Sequence, residues 1–386
     1  MSGRVGRPAA APATAPAAAA VPAVDPVAER FHFLVNAPAL FNAVVTALEW
    51  DVFGHLSAHP GSSFEELRAA TGVPAHSLRV LLQAVCTTGL LERHADGTYH
   101  NARAAAELLL PDGPDSWRHI LTGWREIYYP AFSRMTEALA AGTNTALDAH
   151  PGEEPTLYRR LAHDPELEAV FHRSMSAFTL KSLDALVECE EFATVRHLLD
   201  VGGGDGTTSA RLLARHPGMR STVFDIPSVA RLAAEARSEA RTDATADAGS
   251  DAPADSGSDA EAADRLRLHP GDLFTDPFPA GADAVLFSHV LEIFSAEQIT
   301  ELLAKAHGVL PPGGRVFVYG YNVSDDETRG WYSARLSLYL NVLASGQGMA
   351  YPARDYEHWM RRAGFGDVRT LTGYPYEHGL TIGTKQ

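Results

Sequence analysis

Apolar runs alternate with amphipathic segments along the second half of the chain. Short apolar runs predict strands at residues 196–201, 221–225, 265–270, 283–288, 314–320, 366–372 and 379–384. Segments with helical spacing lie between them, at residues 207–215, 227–237, 296–309 and 353–363. Because strands that alternate with helices form sheets covered on both faces, this half predicts an α/β fold with a mostly parallel sheet.

The first half of the chain has a helical pattern instead. Apolar residues at helical spacing cover residues 33–48, and Ser63 with Glu66 has the spacing of a capping box ahead of residues 67–71. A second helix is predicted at residues 75–88, followed by a glycine turn and a short strand at Tyr99. Helix, turn, helix and wing is the order of a winged helix. We therefore expect a winged-helix-like domain over residues 28–110 and a helical linker that lines an acceptor pocket over residues 111–190.

A DNA-binding regulator is the main alternative for a winged helix. The helix at residues 75–88 offers only His76 and Arg79 for contacts to nucleic acid, and the rest of it is almost entirely apolar. The chain has 32 basic and 48 acidic residues, a formal net charge of −16. Since DNA binding needs several cations, these observations favour dimerisation and argue against a nucleic-acid partner.

Composition sets the remaining domain boundaries. The alanine- and proline-rich residues 1–27 predict a disordered tail. Residues 238–264 carry eight acidic residues and one arginine, with aspartate at every fourth position from Asp243, and predict a disordered acidic insertion in a ligand-binding domain that spans residues 191–386. Cys86 and Cys189 are expected to be buried thiols in a reducing cytoplasm. No apolar run approaches the length of about eighteen residues that a membrane span requires, so we expect no membrane partner.

A glycine turn marks the ligand site. Residues 198–206 read LLDVGGGDG, a strand that ends in glycines and opens a helix, and Asp225 ends the next strand nineteen residues after Gly206. Glycines let backbone N–H groups approach a ligand, and an acid at the next strand tip suits a ribose diol. The third glycine of a dinucleotide fingerprint is missing, and Asp205 would repel phosphate but suits a cation. The pattern therefore favours S-adenosylmethionine over a dinucleotide.

Several spaced motifs resemble those of the small-molecule O-methyltransferase family, which includes plant caffeate and flavonoid enzymes and many bacterial enzymes of secondary metabolism. They are LLDVGGGDG at 198–206, VFDIP at 223–227, GDLF at 271–274, LPPGG at 310–314 and AGF at 363–365. The resemblance covers residues 28–386 apart from the acidic insertion. It implies a Rossmann-like, seven-stranded methyltransferase sheet preceded by a winged-helix-like dimerisation domain. It also implies a homodimer whose N-terminal helices interlock and close over the acceptor.

The same resemblance implies roles for individual residues. The glycine turn from Gly202 to Gly206 would hold the methionine end of the cofactor, Asp225 its ribose, and Asp272 with Leu273 its adenine. The full set of expected cofactor-binding residues is Asp200, Gly202, Gly203, Gly204, Asp205, Gly206, Asp225, Ile226, Asp272, Leu273, Phe274 and Ser288.

The chain departs from the family at the general base. Family members usually read His-Asp-Trp after the fourth strand, and that histidine is the base. Residues 288–297 read SHVLEIFSAE here, with Glu292 at the base position, Ile293 and Phe294 at the next two, and His289 three residues early. The later Glu-Arg-Thr reads Ala-Arg-Asp at 353–355. The resemblance therefore implies an altered catalytic centre.

Glu292 and His289 are the expected catalytic residues. A phenol must lose its proton before it attacks through oxygen or through the ring carbon beside it, so one base serves both reactions. Apolar neighbours would raise the pKa of Glu292, and His289, three residues away, would share a helical face with it. Three alternatives remain open: a backbone-satisfied His289, a helix-terminal role for Glu292, and a metal site like that of relatives that methylate 2-oxo acids. A family member that binds the cofactor without transferring methyl is a further option.

Aromatic and thioether side chains are the candidates for acceptor binding. They are Trp124, Tyr128, Met175, Phe178, Trp331, Tyr332 and Tyr339, with Arg125 as a candidate partner for an acceptor carboxylate. Any one of these aromatic residues could equally belong to the core. We predict methylation of a small phenolic aromatic, amino-acid derivatives included, in bacterial secondary metabolism. Ring carbon is favoured over oxygen because the usual base for O-methylation is missing.

Overall fold

The computed structural model describes residues 25–111, 113, 115–227, 229 and 264–386. Most of the predicted tail, most of the predicted helix at 227–237 and all of the acidic insertion except Asp264 lie outside the described residues. The tail prediction extends too far at its end, because a helix already begins at Pro26. Asp25 caps this helix by accepting a hydrogen bond from the Val27 N–H at 2.9 Å.

The N-terminal domain has the helix-turn-helix-wing order that the sequence predicts. Its elements are α1 (Pro26–Glu49), α2 (Val52–Ala58), α3 (Phe64–Thr71), α4 (Ala75–Thr87), β1 (Leu91–Arg93), β2 (Tyr99–Asn101) and α5 (Arg103–Leu108). Ser63 and Glu66 form the expected capping box of α3, and β1 pairs antiparallel with β2. One face of α4 packs Leu78 and Leu82 into the domain core. Its opposite face exposes Val80, so α4 is not buried all round in the single chain.

Helix α1 buries only its second half. Val44, Val45, Ala47 and Leu48 are buried there, whereas Phe33 and Leu34 in the first half are 64% and 67% exposed. Contrary to the sequence-based expectation, α1 is long and apolar enough to cross a membrane by length and composition alone, with 22% of its most apolar window buried. The prediction looked for an unbroken apolar run, and polar residues such as His32 and Asn36 interrupt this one. Because these residues carry no formal charge at pH 7, the helix is still apolar enough on average.

A helical layer connects the two domains. It comprises α6 (Trp117–Gly123), α7 (Tyr129–Phe132), α8 (Met135–Ala141), α9 (Leu157–Arg160) and α10 (Pro165–Val187). A π-helical turn at Trp124–Tyr128 joins α6 to α7. Helix α10 packs against α6 and also places Leu183 and Leu186 against the large sheet. The layer therefore holds its aromatic residues beside the carboxyl ends of the strands.

The C-terminal half forms a seven-stranded sheet. Its strands are β3 (His197–Val201), β4 (Arg220–Asp225), β5 (Leu266–Pro270), β6 (Ala284–Ser288), β7 (Arg315–Tyr321), β8 (Phe365–Leu371) and β9 (His378–Lys385). All seven predicted strands are confirmed, each end within one residue of its predicted position. The order is β5-β4-β3-β6-β7-β9-β8, with β5 to β7 parallel and β9 antiparallel to β7 and β8. The predicted α/β fold class is thus confirmed.

Helices cover both faces of this sheet. They are α11 (Thr207–Arg215), α12 (Ala296–Val309), α13 (Trp331–Tyr339) and α14 (Ala353–Arg362), together with α10. Neighbouring strand residues point to opposite faces, so Leu198 packs with α10 and α11 while Leu199 packs with α12 and α14. The chain runs outward from β3 to β5 on one side and from β6 to β7 on the other. The gap between β3 and β6 is therefore the switch point at which such sheets bind ligands.

Candidate active site

One cavity of about 900 Å³ opens at the carboxyl ends of β3, β4, β6 and β7. Gly202 to Asp205, Asp225 and Ser288 line one part of it, and aromatic residues from α10, α13 and the π-helical turn line another. A pocket of this size and position is typical of a ligand site in an open α/β sheet. The cavity brings most of the predicted cofactor residues and several predicted acceptor residues into one space.

A hydrogen bond joins the glycine turn to Asp225. The Asp225 carboxylate accepts hydrogen bonds from the Gly204 N–H at 2.8 Å and from the Ile226 N–H at 2.7 Å. Gly204 has a φ of +60°, which favours glycine and turns its N–H toward β4. Burial raises the pKa of Asp225. The turn therefore presents a backbone-held carboxyl group to the cavity.

Asp200 supports the turn from behind the cavity. It is fully buried at the end of β3, accepts a hydrogen bond from Ser209 Oγ at 2.6 Å, and burial raises its pKa to about 7. A Cβ on Gly203 would lie 2.6 Å from the Asp200 carboxyl carbon. Asp200 and Gly206, both predicted to bind cofactor, do not line the cavity: Asp200 lies beneath the turn, and Gly206 ends the turn as the N-cap of α11.

The remaining predicted cofactor residues all line the cavity. Asp205 accepts from Ser176 Oγ at 3.2 Å, and Asp272 accepts from the Phe274 N–H at 2.9 Å and pairs with Arg159 at 3.2 Å. Leu273, Phe274, Ile226 and Ser288 complete the set. Ser288 Oγ is buried and has no hydrogen-bond partner among the described residues. A free hydroxyl, a row of glycines and a held carboxylate fit a ligand that has a ribose and a charged amino-acid end.

Glu292 is buried where the aromatic part of the cavity meets β7. It lies in the single turn Leu291–Ile293 after β6, is 4% exposed, and accepts a hydrogen bond at Oε1 from the Tyr321 N–H at 3.0 Å. Burial raises its pKa to about 7. A Cβ at Gly320 would overlap Oε1, so the glycine of β7 leaves the space that the carboxyl occupies. Glu292 is therefore a carboxyl group that changes its charge near neutral pH.

His289 lies beside Glu292 but is not hydrogen-bonded to it. His289 Nδ1 is 3.8 Å from Glu292 Oε1, and Nε2 is buried without a partner among the described residues. Its backbone has a φ of +56°, an uncommon conformation that costs about 1–2 kcal/mol outside glycine. Burial, and then the neighbouring His378, lower the pKa of His289 well below its usual value. The imidazole is therefore neutral, with a free nitrogen in a wall of the cavity.

Five of the eight predicted acceptor residues line the cavity: Trp124, Tyr128, Met175, Phe178 and Tyr339. Tyr128 donates its hydroxyl to Met175 Sδ at 3.1 Å, which joins the π-helical turn to α10. Burial raises the pKa of Tyr128 to about 12. These contacts give this part of the cavity an aromatic wall.

The other three predicted acceptor residues lie outside the cavity. Trp331 is 78% exposed at the start of α13, and Tyr332 packs against Phe178 and Tyr376. Arg125 does not line the cavity, and its Nη1 donates a hydrogen bond to the Glu49 carboxylate of α1 at 2.9 Å. Arg125 therefore joins the linker to the N-terminal domain, which is the salt-bridge alternative for this residue.

Arg335 lines the cavity and is absent from the sequence-based candidates. Its guanidinium carbon lies 4.2 Å from the Trp124 ring centroid and 5.8 Å from that of Tyr128. The sequence does carry a signal, because Arg335 precedes Tyr339 by four residues and so shares its face of α13. Tyr158, Tyr321 and His172 also line the cavity and carry no comparable signal.

Family models match nearly the whole described chain. The model of the O-methyltransferase dimerisation domain matches residues 34–111, and that of the O-methyltransferase domain matches residues 132–252 and 250–366. The chain belongs to the O-methyltransferase family. It is an S-adenosylmethionine-dependent methyltransferase with an N-terminal dimerisation domain, as its motifs predict.

Individual relatives cover most of their own length. An L-tyrosine C(3)-methyltransferase of Streptomyces lavendulae is 30% identical over 92% of this chain and 93% of the relative. A 3-hydroxy-5-methyl-1-naphthoate 3-O-methyltransferase of Streptomyces sahachiroi is 29% identical over 89% and 91%. The crystal structure of the S-adenosylmethionine-dependent methyltransferase SibL in its apo form has a TM-score of 0.75 and 32% identity, and covers 92% of this chain and 98% of SibL. These relatives give no support to a DNA-binding regulator or a 2-oxo-acid methyltransferase.

Proposed function

We propose that this methyltransferase acts on a small phenolic aromatic and that Glu292 is the base that removes the phenol's proton. One observation carries the proposal. A buried carboxyl group with a pKa raised to about 7 lines the same cavity as the glycine turn and Asp225. A base with a pKa near the working pH combines a usable charged form with a useful affinity for the proton.

The side chains around Glu292 have defined tasks in this proposal. The Tyr321 N–H holds the Glu292 carboxylate in place, and the neutral His289 offers Nε2 to the acceptor's hydroxyl group. Trp124, Phe178 and Tyr339 form apolar walls that exclude water and orient an aromatic ring. Gly202 to Asp205 and Asp225 would hold S-adenosylmethionine, which supplies an electrophilic methyl group when bound. The proton of the phenol passes to Glu292, the phenolate attacks the methyl group, and S-adenosylhomocysteine leaves. When the attack is through ring carbon, Glu292 returns its proton to the oxygen and the carboxylate then takes the proton of the methylated ring carbon, which restores the aromatic phenol.

The position of the methyl group follows from the acceptor's orientation. Deprotonation raises electron density on the phenol oxygen and on the ring carbons beside it, so Glu292 serves either outcome. We propose ring carbon, because the family's usual base for O-methylation is replaced here by Glu292. The L-tyrosine C(3)-methyltransferase supports this choice and the naphthoate 3-O-methyltransferase supports the alternative.

Mass spectrometry on a panel of tyrosine, hydroxykynurenine and simple phenols tests the proposal. With acceptors deuterated beside the hydroxyl group, methylation at carbon replaces one deuterium and leaves a free phenol. Methylation at oxygen retains every deuterium. We expect the first result for at least one acceptor. Calorimetry on the same protein must show binding of S-adenosylmethionine, and a panel with no methylated phenol would refute the proposed acceptor class.

We propose further that the chain works as a homodimer formed through the first half of α1. Phe33 and Leu34 are exposed there, and the dimerisation model begins at residue 34. Each leucine buried in an interface contributes about 1.5–3 kcal/mol. In a dimer with a twofold axis each interface contact occurs twice, once from each subunit.

The replacement Leu34→Asp is therefore expected to raise the dimer dissociation constant roughly 100-fold or more, because an interface with a twofold axis would bury two charges. Analytical ultracentrifugation measures it. Leu139→Asp is the matched control, since Leu139 is 52% exposed and lies on α8 and not on α1. Equal dissociation constants for the two variants would rule out α1 as the interface.

We propose a cytoplasmic location for the enzyme. Cys86 and Cys189 are both free thiols and half-buried, where full burial was expected. Free thiols are typical of reducing compartments.

A further inference from the structure

Arg335 is a half-buried side chain with two guanidinium nitrogens that have no hydrogen-bond partner among the described residues. Its Nε and Nη1 atoms are shielded from solvent and have no hydrogen-bond partner in the part of the chain that the structure describes. Its guanidinium stacks over Trp124, and the same side chain lines the cavity. A guanidinium stays protonated at any physiological pH, so these N–H groups require an acceptor. A carboxylate ligand in the cavity that Arg335 lines would supply such an acceptor.

The acidic side chains that line the cavity have other partners. These pairs are Glu154 with His163, Glu168 with His172, Asp205 with Ser176, Asp225 with the Gly204 N–H, Asp272 with Arg159 and Glu292 with the Tyr321 N–H. Burial raises the pKa of Tyr321 well above its usual value, and the charges of Arg335, which lowers it, and of Glu292, which raises it, both act on the same hydroxyl group. Arg335 therefore stands near the base without being paired to it.

We propose that Arg335 binds a carboxylate of the acceptor, so that the substrate is a phenolic carboxylic acid. The assignment rests on the proposed function, because it places the phenol at Glu292 and the carboxylate at Arg335. Charge-assisted hydrogen bonds in a water-excluded site are strong and directional. They would set which ring carbon faces the methyl donor. Trp124 and Tyr128 lie within cation–π distance of the guanidinium and help to hold it at the cavity.

The methionine carboxylate of the cofactor is a second source of the same chemistry. Arg335 lies on α13 with Tyr339 and contacts Trp124 and Tyr128, all of which line the aromatic part of the cavity. The glycine turn and Asp225 lie at the ends of β3 and β4. This position favours the acceptor, and cofactor affinity separates the two sources.

The test uses acceptors in matched pairs on the full-length protein. The pairs are L-tyrosine and tyramine, para-hydroxybenzoate and its amide, and hydroxynaphthoate and naphthol. Calorimetry with S-adenosylhomocysteine present gives affinities, and kcat/KM is measured for each pair that is methylated. At least one acid is expected to exceed its partner without a carboxylate by about thirty-fold or more, the usual effect of leaving one member of a hydrogen-bonded charge pair unpaired. Tyramine keeps its ammonium group, so the two pairs without an amine compare a carboxylate with an uncharged partner. Arg335→Gln should remove that preference, and Arg335→Lys should restore part of it.

Arg329→Gln is the matched control, because Arg329 is exposed six residues earlier in the loop before α13. It should leave the preference unchanged, and S-adenosylmethionine affinity should be the same in all variants. The proposal is overturned if no acid binds, if neutral partners bind as well, if Arg335→Gln keeps the preference, or if that variant loses cofactor affinity. If Arg335→Gln fails to fold, the wild-type comparison of acid with neutral partner still decides.

Failure of this inference differs from failure of the proposed function. Methylation of neutral phenols but not of acids would refute the carboxylate and keep Glu292 as the base for a phenol. Binding of L-phenylalanine that depends on Arg335, with no phenol methylated, would keep the carboxylate site and refute the phenol.

Discussion

Glu292→Gln is expected to lower kcat by about 10²- to 10⁴-fold, the usual contribution of a general base. Glutamine keeps the size of the side chain and can still accept the hydrogen bond from the Tyr321 N–H. It cannot take a proton from a phenol. Steady-state kinetics with the best acceptor of the panel measures the loss, and calorimetry should show unchanged affinity for S-adenosylmethionine. Undiminished turnover would show that Glu292 is not the base.

The pH dependence of the wild type tests the same assignment. Since Glu292 must be ionised to act, kcat/KM should rise with pH through about 7, the raised pKa of this carboxyl. The folded pKa lies above the ordinary value of 4.5, so the folded state binds this proton more tightly than the unfolded state does. The contribution of Glu292 to stability is therefore present below pH 4.5 and is lost as the pH rises through about 7.

Two variants separate the charge of Glu292 from its position. Glu292→Gln should raise the free energy of unfolding at pH 8 by up to about 3 kcal/mol relative to the wild type, because it removes a buried charge. Comparison at one pH also cancels the similar contribution of Asp200.

Gly320→Ala keeps the carboxyl group of Glu292 but displaces it, since the added Cβ would overlap Oε1. It should lower kcat while Gly308→Ala, whose Cβ meets nothing within 4 Å, should not.

Gly203→Val is expected to weaken S-adenosylmethionine binding roughly 100-fold, because overpacking costs about 1–3 kcal/mol or more. A Cβ on Gly203 would lie 2.6 Å from both Cγ and Oδ2 of Asp200. Asp200 cannot move away easily, since it is fully buried and bonded to Ser209. The turn would therefore shift and carry the Gly204 N–H away from Asp225.

Calorimetric titration with S-adenosylmethionine measures the loss, and Gly218→Val is the matched control. Gly218 is exposed, and a Cβ there meets nothing within 4 Å. The control should bind the cofactor with wild-type affinity. Wild-type affinity in Gly203→Val as well would show that the cofactor does not depend on the shape of this turn.

Much of the cofactor half of the cavity could be read from local sequence. A glycine turn after a buried strand and an acid at the end of the next strand come from neighbouring βα units, so their spacing along the chain determines their spacing in space. The predicted strands agree with the structure for the same reason, because each is a short apolar run bounded by turn residues. Asp200 differs because it is buried under the turn, and burial depends on how α11 packs.

The acceptor half depended on contacts between distant segments. Arg125 and Arg335 both stand beside aromatic residues, and the sequence favoured Arg125 for the carboxylate. The fold places Glu49 of α1 against Arg125, whereas no acidic residue among those described pairs with Arg335. Glu292, the proposed base, shows the same limit. Its position was visible in the sequence, but its burial against Tyr321 and its 3.8 Å separation from His289 come from β7 and the turn after β6.

The sequence alone determined the order of strands and helices along the chain, the family and the cofactor, and it pointed to Glu292 as the proposed base. These follow from periodicity and from motifs within single βα units, where local spacing and backbone sterics decide the geometry. Only the tertiary structure decided which polar groups are buried and which of them lack a partner. Burial and pairing depend on residues far apart in the chain, such as Glu49 with Arg125 or Arg335 with Trp124. They raise the pKa of Glu292 and leave two N–H-bearing nitrogens of Arg335 without a hydrogen-bond partner among the described residues.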